Sequence, residues 1–291
     1  MHIPVLVEEV LHYLAVRPDG VFLDVTAGLG GHCGAIASRL TTGRLIATDR
    51  DAETLELARV NTAQWAERIQ FQQSRFSALD RTLAQIATPV DGLLADLGVS
   101  RYQLTTAERG FGFSSDGPLD MRMDRMQPES AFDLVNYTGE KQLADLIYQF
   151  GEERRARRIS RAVLRARPIR STGHLARVIE EAVSRSGRSR LHPATRTFMA
   201  LRLAVNGELE ELEALLESLP RLVKPGGRVV VIAFMSLEDR RVKLGFQSLA
   251  RAGRARILTR HVVVPQPGEI RDNPAARSAR LRALEMCESS G

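Results

Sequence analysis

Apolar and polar positions alternate along the first hundred residues in a way that predicts short strands separated by helices. Four short, mostly apolar runs have the length of buried strands: 21–25, 44–49, 69–71 and 92–97. The segments between them have helical spacing: 32–40, 52–66 and 77–87. Strands and helices that alternate at such short intervals are typical of a doubly wound parallel sheet. The pattern therefore predicts an α/β fold.

The middle of the chain interrupts this alternation. It contains helical patterns without a convincing buried strand: 141–150, 153–166 and 174–186. Afterwards the alternation returns, with a helix, a Lys-Pro-Gly-Gly turn, a strand, a further helix and two last strands: 208–222, 224–227, 228–234, 237–250, 256–264 and 280–287. We therefore predict one α/β domain, formed by residues 1–102 and 198–291, with a helical insertion at 103–197.

Composition narrows the class of protein. The chain has 291 residues, of which 44% are hydrophobic, an ordinary value for a globular protein. No apolar run reaches about 18 residues, so we expect no membrane span, and the first residues lack the basic start of a secretory signal. Cys33 and Cys287 are too few for a disulfide framework or a zinc cluster. We expect a cytoplasmic protein that needs no metal.

Positive charge is concentrated in one part of the chain. The formal net charge is +6, but residues 151–200 alone contain thirteen Arg and four Glu, a local charge of +9. Arginine binds phosphate through a planar fork and stacks on bases, which suits nucleic acid. A solvated helix face in an arginine-rich protein is the alternative. The clustering favours an RNA surface.

The first chemical motif is a glycine-rich turn after the first predicted strand. The sequence from Asp24 to Gly31 reads Asp-Val-Thr-Ala-Gly-Leu-Gly-Gly, and such a turn lets a cofactor approach the backbone closely. Asp49 ends the next strand, where an acid can accept hydrogen bonds from both ribose hydroxyls of an adenosine. NAD and S-adenosylmethionine share this ribose. An ordinary tight turn and a loop-capping Asp remain the alternatives.

Asp96 ends the fourth predicted strand. The carboxyl ends of parallel strands form the ligand crevice of an open α/β sheet, so Asp96 is expected to face the same crevice as Gly30 and Asp49. A carboxylate there can bind a cofactor or orient an amino group that is to be methylated. A purely structural Asp is an equal alternative.

Longer blocks of the sequence resemble the RsmH (MraW) family, bacterial enzymes that methylate N4 of a cytosine in the decoding region of 16S ribosomal RNA. The similarity runs nearly end to end and is carried by seven blocks: 2–6, 24–32, 49–51, 91–124, 150–154, 192–198 and 236–240. The resemblance implies a class I S-adenosylmethionine methyltransferase, with a Rossmann-like, doubly wound sheet and an inserted helical domain. It also implies seven cofactor contacts: Gly30, Gly31, His32, Asp49, Phe76, Asp96 and Gln103.

The reaction that the resemblance implies is direct in-line attack of the cytosine amino nitrogen on the sulfonium methyl group. Many amino-methyltransferases use an Asp/Asn-Pro-Pro-aromatic tetrad after strand four, of which this chain keeps only Asp96. We predict that Asp96 orients the amino group, with Asp120 as a second candidate. Phe76, expected at the end of strand three, can lie against adenine, although a core Phe is the simpler interpretation.

The implied partner is 16S ribosomal RNA in the small ribosomal subunit, recognised by the helical insertion. Six residues are candidate RNA contacts: Arg109, Arg122, Arg154, Arg158, His192 and Arg196. Several arginines between 154 and 161 recur at spacings that place them on one helical face, whereas His192 is alternatively a helix-cap or packing residue. The oligomeric state stays open, with a homodimer as one option.

The chain departs from the family pattern at a few positions. Met235 replaces a histidine in the Phe-His-Ser-Leu-Glu-Asp block, and Arg101 and Tyr102 replace Ser and Pro in another. These changes leave the cofactor site largely intact but put the rate or the target nucleotide in question. A non-catalytic or retargeted RNA-binding relative is therefore the alternative function. A nicotinamide oxidoreductase is disfavoured because it leaves the arginine-rich insertion unexplained.

Overall fold

The computed structural model describes residues 4–84, 89–183 and 192–288. Two compact units are present: the first consists of Met1–Gly98 and Leu209–Gly291, and the second of Val99–Glu208. The last residues of the predicted helices 77–87 and 174–186 lie outside the described part of the chain. The second unit extends beyond residue 197, where the predicted insertion ends, because one continuous helix occupies Thr195–Asn206.

The first unit begins with four strands and four α-helices. The strands are β1 (Val21–Asp24), β2 (Arg44–Asp49), β3 (Ile69–Gln73) and β4 (Val90–Asp96). The helices are α1 (Val7–Leu14), α2 (Gly31–Ala37), α3 (Ala52–Asn61) and α4 (Leu79–Ala84). A 3₁₀ helix, Ala63–Arg68, replaces the end of the helix that was predicted over 52–66.

In its described residues, the second unit consists of helices joined by loops, the longest of which occupies residues 110–130. Its α-helices are α5 (Arg101–Thr105), α6 (Ala131–Tyr137), α7 (Glu140–Gly151), α8 (Ala156–Ala166), α9 (Thr172–Ala182) and α10 (Thr195–Asn206). No strand is assigned between 99 and 208 in the described ranges, where only an isolated bridge joins Pro118 and Ser171. No described helix of the whole chain is long and apolar enough to cross a membrane.

The rest of the chain completes the sheet of the first unit. It contains α11 (Glu208–Leu222), β5 (Val223–Ala233), α12 (Ser236–Arg251), β6 (Ala255–Ile257), α13 (Pro267–Asp272) and β7 (Arg280–Met286). The strand order is β3-β2-β1-β4-β5-β7-β6. The strands from β1 to β5 are parallel, but β7 runs antiparallel to both of its neighbours. The parallel sheet predicted from the first hundred residues is confirmed for β1 to β4, whereas the antiparallel direction of β7 was not predicted, since an apolar pattern does not encode strand direction.

The central strands of this sheet are buried on both faces. Leu93 and Val229 point into one apolar core, and their neighbours Leu94 and Val230 point into a second core. Strands covered on both faces are continuous apolar runs rather than alternating ones. This arrangement explains why the sequence predicted β4 and β5 so clearly, and it holds the carboxyl ends of the strands in fixed positions.

Helix α8 shows how the arginine-rich segment folds within the second unit. Ile159 and Val163 are fully buried in the core of that unit. The opposite face of the helix carries exposed arginines: Arg157, Arg158, Arg161 and Arg165. The predicted arginine face is therefore present on the surface of the second unit.

Candidate active site

Three acidic residues end neighbouring parallel strands of the first unit. Asp24 ends β1, Asp49 ends β2 and Asp96 ends β4, and β1 lies between the other two strands. Because the carboxyl ends of parallel strands meet at one edge, the three carboxylates share one edge of the sheet. The structure thus brings Asp49 and Asp96 to one crevice.

The turn after β1 contains two glycines with left-handed backbone conformation, Gly28 (φ 50°) and Gly30 (φ 85°). A Cβ atom at Gly30 would lie 2.9 Å from Thr62 Cγ2, and one at Gly31 would lie 3.0 Å from Pro4 Cβ, so packing requires both glycines. A Cβ atom at Gly28 would come no closer than 3.7 Å to its nearest neighbour, a carbonyl oxygen. The open space beside Gly28 therefore leaves room for a ligand next to the backbone.

Asp49 fixes this turn with both carboxylate oxygens. Oδ2 accepts a hydrogen bond from Gly28 N at 2.8 Å, and Oδ1 accepts one from Asp51 N at 2.9 Å. Burial raises the pKa of Asp49 to about 6, although the two backbone hydrogen bonds act in the opposite direction. Each carboxylate oxygen has a second acceptor position, so ionised Asp49 can also accept hydrogen bonds from ribose hydroxyls.

Asp24 lies fully buried behind the turn. Its Oδ1 accepts hydrogen bonds from the backbone N–H and the hydroxyl of Thr26, and its Oδ2 accepts one from the Cys33 thiol at 3.2 Å. Burial raises the pKa of Asp24. The Thr26 hydroxyl oxygen in turn accepts from Asp96 N at 2.6 Å. Asp24 and Thr26, for which the sequence predicted no role, therefore join the ends of β1 and β4.

His32 and Asp96 form a pair beside the turn. His32 Nε2 lies 3.5 Å from Asp96 Oδ2, a contact that is electrostatic rather than a well-formed hydrogen bond. Burial lowers the pKa of His32, but the contact with Asp96 and the charges of Asp96, Asp24 and Glu269 outweigh it, so the net shift is upward. Both ring nitrogens of His32 and Oδ1 of Asp96 have no hydrogen-bond partner among the described residues. Asp96 therefore presents an available acceptor next to a group that favours positive charge.

These groups fit S-adenosylmethionine. Ionised Asp49 can accept from the ribose hydroxyls, and the space beside Gly28 admits a ligand close to the backbone. Unpartnered buried polar atoms on His32 and Asp96 are positions that a ligand can satisfy. The carboxylates at this edge also supply the negative charge that favours a cationic sulfonium.

Phe76 does not end a strand as predicted. Strand β3 ends at Gln73, and Phe76 begins a 3₁₀ helix, Phe76–Ala78. Its half-buried ring packs against the apolar core of the first unit, which agrees with the simpler interpretation of a core Phe. The proposed contact with adenine stays a prediction.

Gln103 and Asp120, also predicted for the site, belong to the second unit. Gln103 Oε1 accepts from Ser100 N at 2.8 Å and Ser100 Oγ accepts from Gln103 N at 3.2 Å, so the pair caps the start of α5. Asp120 forms a bidentate ion pair with Arg122, with oxygen–nitrogen distances of 2.6 and 3.1 Å. Both side chains thus have structural partners, and their roles towards cofactor and substrate stay predictions.

Three of the predicted RNA contacts are exposed: Arg154, Arg158 and Arg196. His192 is different, because its Nδ1 accepts from Ala194 N at 3.2 Å, directly before α10. The His192 ring also lies 4.7 Å from the Phe113 ring, measured between centroids. These contacts agree with the helix-cap and packing interpretation of His192.

Arg109 does not fit its predicted role as an RNA contact. Its side chain is 1% exposed, and Nη2 donates to the carbonyl oxygens of Arg122 and Met123 at 2.8 and 3.2 Å. Its guanidinium also lies over the Phe111 ring, 5.8 Å from the centroid. An arginine enclosed in this way cannot reach a phosphate without losing these contacts. We therefore leave Arg109 out of the proposed RNA surface.

The acidic residues of the Ser-Leu-Glu-Asp block have structural partners in the first unit. Glu238 Oε2 accepts from Phe234 N at 3.0 Å and from Met235 N at 3.1 Å, at the start of α12. Asp239 forms a bidentate ion pair with Arg282. Met235, the departure from the family histidine, is half-buried at the N-cap of α12. The block therefore fastens the end of β5 to α12 and β7.

The sheet order, the glycine turn and the carboxylates that end β1, β2 and β4 define a Rossmann-like nucleotide-binding fold, the architecture of class I methyltransferases that use S-adenosylmethionine. A family model described as the MraW methylase family matches residues 1–287. The chain belongs to this family. The family, the fold class and the cofactor that the sequence predicted are thereby confirmed.

Several known proteins are similar over almost their full length. The ribosomal RNA small subunit methyltransferase H of Solibacter usitatus is 61% identical, over 98% of this chain and 100% of that protein. The protein of the same name from Koribacter versatilis is 48% identical, over 97% and 93%. Among solved structures, a putative rRNA methylase from Clostridium thermocellum has a TM-score of 0.47 at 10% identity, covering 98% of this chain and 100% of that chain.

Proposed function

We propose that the protein transfers a methyl group from S-adenosylmethionine to N4 of a cytidine in the decoding region of 16S ribosomal RNA, in the small subunit and in the cytoplasm. The names of the relatives from Solibacter usitatus and Koribacter versatilis support ribosomal RNA as the substrate class. The exposed arginine face of α8 supports a polyanionic substrate.

One observation carries the chemistry: Asp96 ends β4 beside His32, and its Oδ1 has no partner among the described residues. The lone pair of a cytosine amino group is delocalised into the ring, so the enzyme must orient this group and accept a proton. Asp96 accepts a hydrogen bond from the amino N–H and takes the proton as the new N–C bond forms. His32 Nε2 lies 3.5 Å from the other oxygen of Asp96, Oδ2, and holds the carboxylate in place.

The other residues of the crevice bind the cofactor and hold it in position. When bound, S-adenosylmethionine supplies an electrophilic methyl group on a positively charged sulfur. Asp49 holds the ribose, and Gly28 allows the close approach of the ligand to the backbone. Asp120 is already paired with Arg122, so we assign the acceptor role to Asp96 alone.

The test is the substitution Asp96→Asn, which keeps the shape of the side chain and removes its charge. The single-turnover rate of methyl transfer to small subunits that lack the modification should fall at least about 100-fold. Binding of S-adenosylmethionine, measured by calorimetry, should change much less than the rate. Asp19→Asn is a matched control, because the Asp19 side chain is 76% exposed and precedes β1 at the other end of the strand.

Two outcomes would contradict the proposal in different ways. An Asp96→Asn protein that transfers at the wild-type rate would remove Asp96 from the chemistry. A wild-type protein that binds the cofactor tightly but methylates no ribosomal RNA would favour a non-catalytic or retargeted RNA-binding relative.

A further inference from the structure

A cleft of about 360 Å³ opens on the surface of the second unit. Two acidic residues, two arginines and an aromatic residue contribute to its walls: Asp120, Asp133, Arg122, Arg170 and Phe132. Its volume lies at the lower end of the range of small-molecule sites, which suits a ligand the size of one nucleotide. The proposed function above leaves this cleft without a role.

The walls of the cleft are joined by backbone hydrogen bonds. Phe132 N donates to Leu119 O at 2.6 Å, and Ala131 N donates to Asp120 O at 2.8 Å. On the Arg170 side, an isolated bridge joins Pro118 to the residue that follows Arg170 in the chain. The three stretches that form the cleft are therefore held together before any ligand arrives.

Buried side chains behind the cleft hold its wall in an unusual conformation. Met121 has a φ of 58°, which is costly for a residue with a bulky side chain. Asn206 Nδ2 donates to Met121 O, and Asn206 Oδ1 accepts from Met123 N, both at 2.8 Å. Buried Arg109 supports the same segment through the carbonyl oxygens of residues 122 and 123. Strain that is held by this many dedicated contacts is typical of a binding wall.

The cleft contains two carboxylates and two guanidinium groups, so it carries no net formal charge. Asp120 and Arg122 neutralise each other in their bidentate pair. Asp133 Oδ2 accepts from both the backbone N–H and the hydroxyl of Ser130, which caps α6. Arg170 is exposed and forms no ion pair with the described residues. Arg170 is therefore the guanidinium of this neutral cleft that is left to meet an anion.

Phe132 supplies an aromatic surface in the same cleft. Its ring is half-buried and meets Tyr137 edge-on, with 6.1 Å between the ring centroids. Tyr137 is itself 74% exposed, so its ring is open to solvent beside Phe132. Aromatic rings that stack on bases, next to arginines that bind phosphate, are the means by which proteins recognise unpaired RNA.

We propose that this cleft binds one unpaired nucleotide of the RNA substrate, with its base against Phe132 and a phosphate at Arg170. Binding of this nucleotide holds the RNA substrate on the second unit. This inference rests on the proposed function only in that the substrate is RNA.

The test measures RNA binding directly, independently of methyl transfer. A fluorescein-labelled, single-stranded oligoribonucleotide with the decoding-region sequence is titrated with the full-length protein, and its anisotropy is recorded. Phe132→Leu should weaken binding about tenfold, or about 1.4 kcal/mol, within the range for one stacked base. Phe132→Tyr should bind within twofold of the wild type, because it keeps the aromatic face.

Arg170→Gln tests the phosphate contact in the same assay. It should weaken binding several-fold and reduce the slope of log K against log salt by about 0.7, the value for one phosphate contact with a single strand. Phe132→Leu should leave that slope unchanged. Arg251→Gln, which removes an exposed arginine of α12, is the matched control for loss of charge.

Thermal unfolding of each variant shows whether its fold is intact. If Phe132→Leu does not fold, the binding of Arg170→Gln alone decides whether the cleft is a nucleotide site. If both variants bind RNA like the Arg251→Gln control, the cleft is not a nucleotide site. Failure of the wild type to methylate ribosomal RNA would instead overturn the proposed function, and the binding measurements would still decide the role of the cleft.

Discussion

Lowering the pH from 8 to 5 is expected to weaken the binding of S-adenosylmethionine about tenfold. The reason is Asp49, whose pKa is raised by burial to about 6. Only its ionised form is a strong acceptor for the ribose hydroxyls, because a protonated carboxyl group has already used one oxygen as a donor. Binding therefore depends on the fraction of protein in which Asp49 is ionised.

The expected change in the dissociation constant follows from the pKa of Asp49. With a pKa of about 6, Asp49 is almost fully ionised at pH 8, and roughly one molecule in eleven is ionised at pH 5. The dissociation constant should rise by about this factor, or about 1.4 kcal/mol. Protonation of His32, whose pKa is also raised, adds positive charge near a cationic ligand and acts in the same direction.

Isothermal titration calorimetry between pH 5 and pH 8 measures how the dissociation constant of S-adenosylmethionine depends on pH. Asp49→Asn should bind more weakly at pH 8 and should lose the part of the pH dependence that belongs to Asp49. Any slope that remains reports on His32 and on Asp24, whose pKa is raised by burial. A dissociation constant that stays constant from pH 5 to pH 8 in the wild type would refute the assignment of Asp49 to the ribose.

Three further comparisons test packing and charge. Gly30→Ala should lower the free energy of unfolding in urea by about 2–4 kcal/mol, because Gly30 has a left-handed φ and its new Cβ would press against Thr62. Gly226→Ala, with φ 78° and open space around it, should lower the same free energy by only about 1 kcal/mol. Equal losses would argue against the contact with Thr62. Asn206→Ala should lower the free energy of unfolding by about 2–4 kcal/mol in the same assay, because it leaves the backbone groups of Met121 and Met123 without partners. A loss under about 0.5 kcal/mol would contradict this role of Asn206. Arg158→Gln should reduce the salt slope of RNA binding by about 0.7 relative to Arg251→Gln, and an unchanged slope would remove Arg158 from the RNA surface.

The elements around the cofactor crevice could be predicted because their information is local. Strands β1, β2 and β4 are short apolar runs that each end in an acid, and the glycine turn follows β1 directly. The two faces of α8 follow from spacing within eleven residues. Patterns of this kind require only neighbouring residues, so they are visible in a single sequence.

The contacts of individual polar side chains could not be predicted in the same way. Arg109 has the sequence context of an exposed arginine, but it is buried by segments that come together only in the folded unit. Asn206 reaches backbone groups 83 and 85 residues earlier in the chain. The direction of β7 likewise depends on where the chain re-enters the sheet. Each of these features is set by tertiary contacts that no local pattern contains.

The most direct test of the central claim is to identify the methylated nucleoside. Small ribosomal subunits that lack the modification are incubated with the protein and labelled S-adenosylmethionine, and their RNA is digested and analysed by liquid chromatography and mass spectrometry. We expect the label in N4-methylcytidine from a decoding-region fragment of 16S ribosomal RNA, and labelling at least about 100-fold slower with Asp96→Asn. Label in another nucleoside, or no label despite tight cofactor binding, would contradict the account.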